Sequence, residues 1–177
     1  LRNSVFIDIT ASKTIAEVYQ TLLESSISVI TPNKIAATRE MKKYLDLKLA
    51  MKKFGGKFFF ETNVAAGLPV ISTLNDLFKS GDHVHSIQAV LSGTLNYLFN
   101  NYNGTKPFVD VIKDAKALGL TEPDPRLDLS GEDVMRKLLI LIRESGRKIE
   151  MDEIEQVSFL PEACEAAGDI EEFYDLI

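Results

Sequence analysis

At 177 residues, with 45% hydrophobic and 26% charged side chains, the chain has the make-up of an ordinary water-soluble globular protein of one domain or a domain and a half. No apolar run approaches the roughly 20 residues of a membrane span, the first residues do not read as a signal peptide, and one cysteine, Cys164, excludes an internal disulfide and fits a reducing, cytoplasmic setting. The net charge of −6 comes from residues 161–177, where Glu162, Glu165, Asp169, Glu171, Glu172 and Asp175 stand without a lysine or arginine, so no basic stripe remains to argue for nucleic acid.

Residues 4–10, SVFIDIT, form a short apolar run bounded by polar residues and predict a buried strand. Ser12 is placed to cap a helix from 13 to about 24, with Ile15, Val18, Tyr19 and Leu22 at helical spacing. ISVIT at 27–31 predicts a second buried strand, stopped by Pro32. Strand, helix and strand with short links make a βαβ unit, whose strands run parallel. The first glycine is Gly55, so this unit holds no G-x-G-x-x-G loop. Such a loop is expected upstream of Leu1, with the chain beginning midway through a nucleotide-binding domain. Thr31-Pro32-Asn33-Lys34 follows the second strand, at the strand end where open α/β sheets bind ligands. Lys34 there suits an anion or a polarised carbonyl, though a surface lysine in a turn has the same pattern.

A Lys- and Leu-rich helix from 38 to 54 ends at Gly55-Gly56, a C-cap. FFFE predicts a strand and NVAAGLP a loop of small residues whose carbonyls can converge. Glu61 beside those carbonyls is a candidate for a hard monovalent cation, which takes oxygen ligands; a turn closing on a helix start is the plainer alternative. A helix over 68–79 carries Pro69 in its first turn and Gly81 past its end. HVHSIQAVLSG at 83–93 alternates as a strand, with His83 and His85 on one solvent-facing side; two histidines without a third ligand make no metal site. Ser92-Gly93-Thr94 then turns into a helix to about 101.

Pro107 opens the next helix, closed by Gly119. Residues 119–147 hold the densest chemistry. Glu122, Pro123, Asp124, Pro125, Arg126 and Asp128 read as a rigid acidic loop, because each proline fixes φ and restricts the residue before it. A helix follows from Ser130-Gly131 to about Gly146. Its apolar arc is Val134, Met135, Leu138, Leu139, Leu141 and Ile142; Asp133 and Lys137, four apart and so on one face, edge a charged arc of Glu132, Arg136, Arg143 and Arg147. The same pattern also describes a capped helix with an ordinary surface ion pair. EIEQVSFLP at 153–161 predicts a last strand, and 161–177 a helix or a disordered end.

These elements predict an α/β protein. Residues 1–36 form the C-terminal part of a doubly wound nucleotide-binding domain. Residues 37–160 form an α/β domain with strands near 57–62, 84–91 and 153–159 and helices over one face. Residues 161–177 form an acidic C-terminal segment.

The run E-P-D-P-R-x-D-L-S-G-x-D-V-x-R-K at 122–137 resembles the signature of homoserine dehydrogenase, most closely the dehydrogenase part of the bifunctional aspartokinase–homoserine dehydrogenases. The likeness extends from about residue 5 to 153. It makes residues 1–36 part of an NAD(P)-binding domain and residues 37–160 a substrate-binding and dimerisation domain. It implies interconversion of L-aspartate 4-semialdehyde and L-homoserine with NADP or NAD, a step toward threonine, methionine and isoleucine, by a homo-oligomer. It assigns Lys137 as general acid and base, Asp128 and Asp133 to hold its ammonium and the substrate, and Glu122 to the substrate's α-amino group. Lys34 is placed near nicotinamide and substrate, Thr10, Ala11 and Ser12 along the cofactor, and Gly93-Thr94 at the substrate edge. A sodium-like ion is assigned to the Glu61 side chain and the carbonyls of Val64, Ala66 and Leu68. Leu120 stands where the family often has tyrosine, and a later glycine-rich segment of the family is not in these residues, so the stretch on its own is expected to bind cofactor poorly and not to turn over. The alternatives are a non-catalytic dimerising or regulatory α/β module, or a related semialdehyde dehydrogenase.

Overall fold

The structure, a computed structural model, describes residues 3–177. The chain divides into two compact units: residues up to Ile87 with Arg136–Ile154, and Gln88–Met135 with Glu155–Ile177.

The first unit is built on a parallel three-stranded sheet in the order β1 (Val5–Ile7), β2 (Ser28–Ile30), β3 (Phe58–Phe59). The expected βαβ unit is present: between β1 and β2 lie α1 (Lys13–Glu17) and α2 (Tyr19–Glu24), and the strands pair in parallel with Phe6 beside Val29 and Ile7 beside Ile30. One helix was expected where two occur. Val18 N–H bonds the Ile15 carbonyl, three residues back, and that tighter step divides α1 from α2.

Successive residues of a strand point to opposite faces. Val29 and Phe58 share the face covered by Tyr19 and Leu23 of α2, and all four are buried. The opposite row is Ile7, Ile30 and Phe59, in register across the three strands and exposed, as is Val5. The first strand is therefore not buried as its apolar run predicted; helices pack on one face of the sheet only, among the described residues.

Between β2 and β3 come α3 (Ile35–Thr38) and α4 (Met41–Phe54). Gly55 closes α4 in the left-handed region at φ 79°, a conformation that costs glycine nothing and L-residues about 1–2 kcal/mol. After β3, a 3₁₀ turn at Glu61–Asn63 leads to α5 (Val70–Lys79). The later part of α9 (Glu132–Glu144) completes this unit, with Leu139, Ile140 and Leu141 buried.

Arg143, expected on the solvated arc of α9, is buried at 4% exposure, and so is its neighbour Glu144. Arg143 donates to the carbonyls of Ala37 (3.0 Å), Arg39 (2.6 Å) and Ile149, and to Glu150 at 3.0 Å. Glu144 accepts from the Tyr44 hydroxyl, from Lys48 Nζ at 2.7 Å and from Asn75 Nδ2 at 2.7 Å. A buried charge persists only when paired and hydrogen-bonded, and α4, α5 and the 37–39 turn supply those partners.

The second unit is helical. α6 (Gly93–Asn101), α7 (Phe108–Ala117) and α8 (Pro125–Leu129) pack around Leu98, Val111, Ile112, Ala115 and Leu129. Residues 161–177 are helical: α10 (Glu162–Glu165) and α11 (Ile170–Leu176) insert Cys164, Ala167 and Phe173 into the same core. Their carboxylates lie outward while every third or fourth residue is apolar.

Two strand expectations fail. Residues 84–91 and 153–159 join no ladder among the described residues, and Val90 and Val157 stand 75% and 85% exposed. Alternation alone makes no strand without a neighbouring edge to bond. The start of the second segment is also taken by a 3₁₀ turn, Met151–Glu153, closed by a reciprocal Glu150–Glu153 capping box.

Candidate functional site

In the first unit, β1 and β2 both deliver their C-terminal ends to one polar network. Asp8, Tyr19, Thr31 and Asn33 are all buried. The Asp8 carboxylate accepts from Thr10 N–H (2.7 Å), Asn33 Nδ2 (3.1 Å) and the Tyr19 hydroxyl, which also lies 3.0 Å from Thr31 Oγ1. Asn33 ties the two strand-end loops together: its Nδ2 donates to the Ser12 carbonyl (3.0 Å), while its own N–H donates to Thr31 Oγ1 (2.9 Å). Burial pushes the Asp8 carboxyl up, but the hydrogen bonds from Tyr19, Thr10 and Asn33 outweigh it and hold the group below the usual carboxylate value. Burial and then the hydrogen bond to Asp8 raise the Tyr19 phenol well above its ordinary range. The network keeps one ionised carboxylate under the loops without exposing it.

Four candidate residues lie along that ledge. Thr10 Oγ1 accepts from Ser12 N–H at 3.1 Å, and Ser12 Oγ caps α1 by accepting from Ile15 N–H at 3.3 Å. Thr10 and Ala11 are exposed beside them. Lys34 is half-buried, its carbonyl accepting the first amides of α3. Asp8, Tyr19 and Asn33 are site residues the sequence reading missed. Their signal was an acid inside an apolar strand and an asparagine directly after the strand-stopping proline; Tyr19 was assigned to an apolar stripe.

The candidate cation loop adjoins this ledge. Asn63, with its amide nitrogen facing them, donates to the carbonyls of Pro32 (2.9 Å) and Thr31 (3.1 Å). The Glu61 carboxylate accepts from Ile71 N–H (2.8 Å) and Ser72 N–H (2.9 Å), capping α5. An ionised carboxylate has about four acceptor positions, so this use leaves capacity for a cation. Ala65 and Ala66 both hold left-handed φ, 60° and 51°, between Val64 and Leu68. Two consecutive strained alanines cost about 1–2 kcal/mol each and redirect the loop's carbonyls. The donor set, one carboxylate and peptide oxygens, fits a hard monovalent ion.

In the second unit the signature loop is partly helical. Asp124 accepts from Arg126 N–H (3.0 Å) and Pro125 takes the first helical position, so residues expected to form a loop instead make α8, with Asp128 in its last turn. Asp128 splits its carboxylate: Oδ1 faces Thr94 Oγ1 at 2.9 Å and Oδ2 accepts from Glu122 N–H at 2.8 Å. Thr94 Oγ1 also lies 2.7 Å from the Leu120 carbonyl. Three predicted residues, Thr94, Glu122 and Asp128, are thus brought together, and the Glu122 side chain is exposed. Asp133 and Lys137 follow one turn apart on α9, both half-buried. Gly131, at φ 74°, makes the bend between α8 and α9. His83 and His85 are exposed, and no group of three or more metal-binding side chains occurs among the described residues.

Comparison with known proteins bears on this arrangement directly. A family model for homoserine dehydrogenase matches residues 69–172, and one for the homoserine dehydrogenase NAD-binding domain matches residues 1–61, past the boundary expected at 36. The chain is 44% identical over 97% of its length to bifunctional aspartokinase/homoserine dehydrogenase 2 of Zea mays, and 43% identical over 97% to the Escherichia coli enzyme of that name. It spans only 19% and 21% of those two proteins, about a fifth of each. Among solved structures, a Candida auris protein of unknown function superimposes with TM-score 0.91 at 37% identity, over 97% of this chain and 49% of that one. A hyperthermophilic archaeal homoserine dehydrogenase in complex with NADPH gives TM-score 0.73 at 31% identity, over 81% of this chain and 44% of that one. The signature loop, the strand-end ledge and these matches agree: the chain belongs to the homoserine dehydrogenase family.

Proposed function

We propose that this chain supplies the substrate-handling part of an NAD(P)-dependent homoserine dehydrogenase, an oxidoreductase interconverting L-homoserine and L-aspartate 4-semialdehyde. The observation that carries the reading is the Thr94–Asp128–Glu122 cluster, set on a helix that leads straight into Asp133 and Lys137. Glu122 presents a carboxylate for the substrate's α-ammonium, an acid matched to a cation. Lys137 holds or releases the proton at the substrate's reacting oxygen, and Asp128 and Asp133 serve the substrate as acids. Lys34 adds positive charge beside that oxygen.

Thr10, Ala11, Ser12 and Lys34 would hold the nicotinamide end of the cofactor, on the polar ledge made by Asp8, Tyr19 and Asn33. When bound, the cofactor supplies the two-electron redox chemistry. The ledge fits such a group, since its polar atoms are fixed before anything binds. Glu61 with the carbonyls of Val64, Ala66 and Leu68 would hold a sodium-like cation, which the strained Ala65–Ala66 turn supports. A homo-oligomer working in the cytoplasm or another reducing compartment completes the reading, with Cys164 a buried thiol.

The test is reduction of NADP and NAD by the longest natural chain carrying this sequence. Turnover should require L-homoserine, and hydroxy acids lacking the α-amino group should be poor substrates because Glu122 has no cation to bind. Equal rates with such acids would favour a different hydroxy-acid dehydrogenase.

A further inference from the structure

We propose that Arg126 and Gln156 are positioning residues that brace α8 from its two ends, and so set where Glu122, Asp128 and Thr94 meet the substrate; this rests on the functional reading above. α8 has five residues. An isolated helix of that length is far below the roughly 12 residues at which helices become marginal in water, so its orientation is set by tertiary ties. Leu129 supplies one apolar anchor in the core. Pro125, at the first helical position, is buried as well, and these two side chains alone leave the tilt of so short a helix to be set by polar ties.

The N-terminal end is held by Arg126. Its guanidinium binds Asp124 through Nε (3.0 Å) and Nη2 (2.7 Å), and Nη1 donates to the Ala167 carbonyl at 2.8 Å. Asp124 is the residue that caps α8, so the helix start, its capping acid and the turn between α10 and α11 are joined by one planar group. Hydrogen bonds from the Arg126 guanidinium hold the Asp124 carboxyl below its usual range. The C-terminal end is held by Gln156, whose Nε2 donates to the Ser130 carbonyl at 2.5 Å. The same atom lies 2.9 Å from where a Cβ on Gly131 would stand, so a side chain at the bend between α8 and α9 would push the Gln156 amide aside.

Arg126, Ser130 and Gln156 line a cavity of about 480 Å³ together with Ser158, Leu160 and Cys164. On this side α8 is held by directed polar ties rather than by continuous packing. Residues 156–167, outside the signature loop, therefore have a role in substrate placement. They fix α8; α8 fixes Asp128; and Asp128 fixes the Glu122 amide and the Thr94 hydroxyl.

The experiment uses the longest natural chain carrying this sequence, with Arg126→Met, Arg126→Lys and Gln156→Leu. Gln156 is exposed, so Gln156→Leu should fold even if Arg126→Met does not. The brace predicts that KM for homoserine rises roughly 10-fold or more in Arg126→Met and Gln156→Leu, the scale on which small misplacements reduce rates, while KM for NADP stays within about twofold. Arg126→Lys should rescue little, because one ammonium cannot serve Asp124 and Ala167 in the same fork geometry. Amide hydrogen exchange over residues 124–130 should accelerate in the same variants and not elsewhere. Unchanged KM, unchanged exchange, or parallel rises in both KM values would overturn the proposal. A wild-type protein inactive on homoserine would overturn the functional reading instead, and the brace would then be decided by exchange alone.

Discussion

Replacing Asp128 by asparagine and by alanine separates its structural work from its chemistry. Its two oxygens serve two donors, Glu122 N–H at 2.8 Å and Thr94 Oγ1 at 2.9 Å. Thr94 has a single hydroxyl proton and two acceptors in reach, Asp128 and the Leu120 carbonyl. In Asp128→Asn the new amide can donate to Thr94 Oγ1, Thr94 can turn its proton to Leu120, and the remaining Asn oxygen still accepts from Glu122. All partners stay satisfied, and the cost to folding should be below about 1 kcal/mol. Asp128→Ala leaves the Glu122 amide without its acceptor and Thr94 with the Leu120 carbonyl alone. Asp128 is only half-buried, so water can replace part of the loss, and about 1–3 kcal/mol is expected. Urea unfolding of both variants measures this, the midpoint shifting at constant slope. Activity should sort differently: both variants lose the carboxylate charge that the functional reading assigns to the substrate site and should fall roughly 100-fold in kcat/KM. Asparagine as destabilising as alanine would refute the hydrogen-bond accounting, and asparagine with wild-type kcat/KM would refute a chemical role for the charge.

Glu144→Ala should cost about 3–5 kcal/mol, because it strands Lys48, Asn75 and the Tyr44 hydroxyl around a buried vacancy, whereas Glu144→Gln should cost less; chemical denaturation checks both. Stability should fall as pH rises above about 10. Burial and the Glu144 charge raise the Tyr44 phenol, and burial and Asp8 raise Tyr19, so both stay neutral in the fold when the unfolded chain already ionises. The contribution is complete below the unfolded value and lost as pH climbs through the folded one; thermal melts from pH 8 to 11 that stay level would contradict it. Glu61→Gln should make activity less responsive to added sodium or potassium while leaving α5 capped, since the amide oxygen still accepts from Ile71 and Ser72. A sodium response identical to wild type would remove Glu61 from the cation site.

Features set by a few neighbouring residues were legible before the structure. Gly55 and Gly119 end their helices as read, at φ 79° and 71°, and Ser12 caps its helix, because each depends only on local backbone chemistry. The βαβ unit and the cluster of Thr94, Glu122 and Asp128 were likewise within reach, the latter through family likeness. What escaped depends on distant partners. Arg143 and Glu144 lie on the polar arc of their helix, yet Ala37, Tyr44 and Asn75 bury them. Ile7, Ile30 and Phe59 are apolar enough to predict burial, but no element packs on that side of the sheet among the described residues. Residues 84–91 alternate like a strand without an edge to pair with. Asp8 and Asn33 declare themselves only when β1 and β2 lie side by side.

The central claim is that Lys137 carries the proton in homoserine oxidation. The direct measurement is homoserine-dependent reduction of NADP by the longest natural chain carrying this sequence, beside its Lys137→Ala variant. An active wild type is expected, with the variant, folded by its melting curve, reduced roughly 100-fold or more. A folded wild type with no homoserine activity would contradict the function, and an active variant at wild-type rate would contradict the assignment of Lys137.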